Sequence, residues 1–70
     1  MNILPIGSRR ALAIRRATRA LARQRGFGRI ASETFARVAV IAARFLERPE
    51  DVARRVVPDM SASATLRVAS

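Results

Sequence analysis

SRRALAIRRATRALARQRGFGRIAS, residues 8–32, carries eight arginines and no acidic residue. Its small and apolar residues recur at helical spacing. Ala13, Ile14, Ala17, Ala20, Leu21 and Gln24 share one side of a helix predicted over Ser8 to Arg25. Arg15, Arg16, Arg19 and Arg23 fall on the opposite side, with Arg9 at its border. Ser8 is a residue type that caps helix starts, and Gly26 suits the left-handed position that closes a helix. Arg23 and Arg25 complement the negative end of the helix dipole, whereas Arg9 and Arg10 oppose the positive end. Those two guanidinium groups then stand beside free backbone donors, a setting that favours a bound phosphate.

Downstream, Gly26-Phe27-Gly28 reads as a turn. Phe27 either folds back over the helices as a plug or serves as an exposed anchor for a partner. The spacing predicts a second helix over Ser32 to Arg48, with Ser32 as its cap and Glu33 in its first turn. Its apolar stripe would be Phe35, Val38, Ala39, Ala42, Phe45 and Leu46, with Ile41 at the edge. Glu33 and Arg37 stand four apart, a favourable order for a surface pair. Val40, flanked by Ala36 and Ala43, lies on the far side and suggests contact with another copy or another protein. Pro49 to Val56 reads as a short third helix: Pro49 fits its first position, and Glu50 and Asp51 are followed four residues on by Arg54 and Arg55. Pro58 stops it.

The expected fold is therefore all-α, a two-helix antiparallel hairpin plus a short third helix. An extended arm (1–7) precedes the helical unit (8–57), and a tail (58–70) follows it. Leu4 and Ile6 in the arm and Leu66 and Val68 in the tail join Phe27 and Val40 as candidate protein-contact residues. They are apolar groups for which a free monomer has little use.

Composition narrows the function. Seventy residues make at most one small domain, which buries little core and usually needs a staple or a partner. No Cys and no His are present, so disulfides and the usual zinc ligand sets are excluded. Lys and Tyr are missing too, which removes the common catalytic bases and nucleophiles. Glu33, Glu50 and Asp51 are accounted for by helix starts, and Ser8 and Ser32 by caps. No glycine pattern matches a phosphate loop. The reading is non-enzymatic, with no cofactor and no small-molecule substrate.

No run reaches the roughly 18–20 apolar residues of a bilayer span, and Arg9 and Arg10 cut off any secretory apolar region. The expected location is cytoplasmic or virion-associated rather than secreted. An Arg- and Ala-rich, acid-free beginning also resembles an organellar transit segment, although its removal would leave too little chain for an ordinary domain.

Charge carries the functional argument. The net charge is +9, nearly all of it in the first 32 residues. A solvated helical face normally mixes signs at four-residue spacing; Arg15, Arg19 and Arg23 form a same-sign ladder instead. Anionic groups on another molecule would offset it. Nucleic acid is the first candidate, with Arg15, Arg16, Arg19 and Arg23 clamping phosphates and Arg9, Arg10, Arg25 and Arg29 assisting. Few groups suited to base reading accompany them, so binding would be backbone-dominated and weakly specific. The alternative is a structural or accessory subunit, in a virion or another large assembly, whose basic helix docks on an acidic protein surface. A homo-oligomer or larger assembly is the expected setting under either reading. A membrane-surface role is disfavoured, because the apolar face of the first helix is mostly alanine.

Overall fold

The computed structural model describes residues 8–59. Among these residues three helices form: α1 (Arg9–Gln24), α2 (Arg29–Ala42) and α3 (Pro49–Val56). The arm and tail, with Leu4, Ile6, Leu66 and Val68, lie outside the described residues.

α1 begins where the sequence predicts. Ser8 is extended (φ −68°, ψ 151°), and its Oγ accepts from the Ala11 amide at 3.0 Å. The helix closes in a Schellman arrangement. Gly26 takes φ 95°, its amide donates to the Arg23 carbonyl, and the Phe27 amide reaches back to the Ala22 carbonyl at 3.0 Å. Phe27 is half-buried, its ring edge-on to Phe35 with centroids 4.9 Å apart. It plugs the turn between the helices.

α2 departs from its expected bounds at both ends. It starts at Arg29 with Gly28 as N-cap, and Ser32 lies inside it, buried, its hydroxyl donating to the Gly28 carbonyl at 2.8 Å. It stops at Ala42 rather than Arg48. Ala43 turns extended (φ −60°, ψ 133°), and residues 44–47 form a turn closed by the Glu47 amide on the Arg44 carbonyl. Arg10 of α1 takes the carbonyls of Arg44 and Glu47, each at 2.8 Å, and so holds the non-helical turn; Pro49 keeps Arg48 extended ahead of α3. The connection to α3 is thus longer than the near-zero turn expected at Arg48-Pro49. α3 starts on Pro49 as predicted, and its first turn carries Glu50 and Asp51.

The helix order is antiparallel, then antiparallel again. Arg19 meets Glu33, and Ala11 and Arg15 line one groove with Arg37, Val40 and Ile41, so positions on α2 rise as those on α1 fall. α3 runs back in the direction of α1. Its beginning sits at Arg10, and its end is held by Arg25, whose guanidinium donates to the Val57 carbonyl at 2.9 Å.

The faces of both long helices differ from expectation. α1 buries Ala11, Ile14, Thr18 and Ala22, while Ala13, Ala20 and Gln24 are exposed. α2 buries Ser32, Ala36 and Ala39, with Val40 and Ala43 packed against the core. Val40 and the small residues beside it, expected to face a partner, therefore face inward. Val38, Ile41, Phe45 and Leu46 point to solvent. α2 has two apolar faces, and periodicity alone does not choose between them. Small side chains on both helices permit close approach, and that choice wins here. The core is consequently slight: Ile14 and Val52 are its largest fully buried apolar side chains. Thr18 sits among them, satisfied by donating to the Ile14 carbonyl at 2.7 Å.

Candidate polyanion-binding surface

The eight arginines proposed from sequence divide by what they touch. Arg10 and Arg25 are half-buried clamps that tie α1 to the α2–α3 turn and to the end of α3 through backbone carbonyls. These are charge-assisted bonds, partly shielded at the Glu47 and Val57 carbonyls and exposed at the Arg44 carbonyl. Arg19 turns toward α2, its Nε 3.2 Å from Glu33 Oε1. This pair replaces the Glu33–Arg37 contact expected within α2. Arg15 is half-buried beside Ala11 and Val40, its stem covering the α1–α2 groove. The opposite-face ladder is therefore split, with Arg15 and Arg19 on the shoulder of α1 that meets α2.

Arg9, Arg16, Arg23 and Arg29 are exposed. Among the described residues, none of the four has an ion-pair or hydrogen-bonded side-chain partner. Arg9, Arg16 and Arg23 stand seven positions apart on α1. Two helical turns nearly restore the direction, so the three form one line with about 20° of drift per step. The line is about 21 Å long, with steps of about 10.5 Å.

Around the α2–α3 turn, a second group of charges was not foreseen. Glu47 lies in the α2–α3 turn with a side chain only 13% exposed. Arg55 grips it with a two-pronged fork, Nη2 to Oε1 at 2.7 Å and Nε to Oε2 at 2.9 Å. The Arg44 amide also donates to Oε1, at 3.0 Å, and Arg55 Nη2 reaches the Ala42 carbonyl at 2.7 Å. The hydrogen bonds from Arg55 and then from the Arg44 amide hold the Glu47 carboxyl down to about 2, and the same contact raises Arg55. Arg55 is therefore a partner of Glu47 rather than of Asp51, while Arg54 lies 3.5 Å from Asp51. No signal in the sequence marks the contacts of Arg10 with the turn or of Arg55 with Glu47, since they link positions eight to thirty-seven apart through a turn that only the fold creates.

This network holds a turn whose two central residues have no role inside the chain. Phe45 is 87% exposed and Leu46 81% exposed, and Leu46 adopts φ 63°. A left-handed leucine is costly, and here no packing offsets the cost.

No helix among the described residues is long and apolar enough to cross a membrane. Comparison of the chain with protein-family models, curated proteins and solved structures finds no match.

Proposed function

We propose that this chain is a non-enzymatic basic helical module that binds a polyanion through α1, with the nucleic-acid backbone as its ligand and little sequence preference. The line of Arg9, Arg16 and Arg23 carries this reading. Its steps of about 10.5 Å exceed the roughly 3.4 Å axial rise per phosphate of one strand, so each arginine can take a separate phosphate. Guanidinium groups suit phosphate because they donate in pairs and stay charged. Arg29, exposed at the first position of α2, adds a fourth cation, whereas Arg10, Arg19 and Arg25 are occupied within the fold and support rather than touch the ligand.

The test is fluorescence anisotropy with a labelled duplex across a salt series. Three phosphate contacts give a log–log salt slope of about −3. Changing Arg9, Arg16 and Arg23 together to Gln should flatten that slope and remove most of the affinity while leaving helicity intact. Unchanged affinity in this variant rejects the reading.

The exposed Phe45-Leu46 turn favours a second reading, a structural or accessory subunit held in a larger assembly by apolar contact. That reading gains if replacing both residues with Ser releases the chain from its assembly without altering nucleic-acid binding.

A further inference from the structure

The outer face of α2 is apolar where a lone helix should be polar. Ile30 is 84% exposed, Ile41 is 86% exposed and Val38 is 45% exposed. Ile30, Thr34, Arg37 and Ile41 are spaced four, three and four apart, which places them on one seam of the helix with Val38 beside it. The Thr34 hydroxyl is already spent on the Ile30 carbonyl at 3.1 Å. Glu33 flanks the seam on the side toward α1, and Arg29, Ile30, Glu33, Thr34 and Arg37 together line one shallow depression. The largest aliphatic groups of α2 thus lie outside while its alanines lie inside.

We propose that this seam is the interface of a two-fold symmetric dimer, in which α2 packs antiparallel against α2 of a second copy. The spacing is self-complementary under that symmetry. Ile30 meets Ile41 of the partner subunit at each end, and Thr34 meets Arg37 of the partner subunit in the middle, the layer pattern of an antiparallel helix pair. Charge complementarity selects a second copy over other occupants. Glu33 lies one turn from Arg37, so the two-fold brings each Arg37 to the carboxylate of the other chain. Glu33 keeps a side chain 49% exposed beyond its contact with Arg19, which leaves it free to accept a second donor. An anionic membrane would meet that carboxylate as a like charge. An acidic protein would be drawn first to the unopposed arginines of α1. Dimerisation through α2 also leaves the Arg9, Arg16 and Arg23 line uncovered on each copy. The inference therefore does not depend on what that line binds.

The experiment is sedimentation velocity of the full chain after nuclease treatment in about 0.5 M NaCl, where charge-mediated bridging is strongly screened. A concentration-dependent dimer is expected. Ile30→Asp with Ile41→Asp should shift it to monomer at every concentration tested, with the helical circular dichroism unchanged because both positions are exposed. Since the chain has no cysteine, orientation can be read by oxidation. Mixing Ile30→Cys with Ile41→Cys should give a crosslinked heterodimer, whereas Ile30→Cys alone should not crosslink, its two copies lying about 16 Å apart. A chain that stays monomeric, a dimer that survives both aspartates, or crosslinking of Ile30→Cys with itself overturns the proposal.

Discussion

Leu46 holds a backbone angle (φ 63°) that leucine rarely adopts, and it does so with its side chain in solvent. The turn is imposed from outside the residue. Arg10 anchors the carbonyls of Arg44 and Glu47, and Glu47 receives the Arg44 amide, so residues 45 and 46 bridge two fixed ends. Glycine meets the same angle without a Cβ penalty. Leu46→Gly should therefore stabilise the fold by about 0.5–1 kcal/mol, the local strain relieved being larger than the entropy added to the unfolded chain. A higher urea midpoint would confirm this. A lower one would mean that Leu46 packs on something in the folded protein. The same substitution separates stability from assembly, because the Phe45-Leu46 pair would lose half of its exposed apolar surface while the fold gained.

At the level of the element, two arginines of the same helix are not equivalent. Arg10 and Arg16 both sit on α1 and look alike in sequence. Arg10 closes the start of the α2–α3 connection through two backbone carbonyls, while Arg16 is exposed. Arg10→Ala strips two charge-assisted bonds, the one to the Glu47 carbonyl partly shielded, so it should cost about 1.5–3 kcal/mol. Arg16→Ala should stay within about 0.5 kcal/mol of the parent. Thermal melts of the two variants side by side decide this, and equal losses would refute the division of the arginines into clamps and free charges. The same contrast shows how far the sequence could be read. Ser8 acts through a side chain that reaches only three residues on, and Gly26 and Pro49 act through their own backbone, so the boundaries they set were legible. The all-helical class followed from periodicity. The faces were not legible for α2, because Ala36, Ala39 and Ala43 compete with Val38 and Ile41, and the winner depends on what α1 offers. Ala11, Thr18 and Ala22 offer only small groups, and small groups pack best against small groups. The candidate surface was legible as charge but not as geometry. Which of the eight arginines stay exposed depends on Glu33, Arg44, Glu47 and Val57, which approach them only in the folded chain.

For the molecule as a whole, the balance is between a slight core and a large positive charge. Fourteen arginines are opposed by five carboxylates, and the best-bound of these is Glu47. Its carboxyl is lowered from 4.5 to about 2 by Arg55 and the Arg44 amide. A group whose folded value is depressed takes up protons more readily when the chain unfolds. Its contribution is complete above about pH 4.5, declines as pH falls, and is gone once pH drops below about 2. Protonation of Glu47 also leaves Arg55 without its counter-charge and adds to the self-repulsion of a chain of fourteen arginines. The protein should therefore unfold in acid, and more steeply than a chain of balanced charge. Glu47→Gln keeps the shape of the side chain and removes its charge, so it should lower the urea midpoint at pH 7 yet leave it close to the parent's near pH 2. A gap between parent and variant that is as wide near pH 2 as at pH 7 would show that Glu47 acts through shape rather than charge. Adding sulfate at low pH should restore part of the lost stability in both proteins, since an anion that screens or binds arginine substitutes for the missing carboxylates.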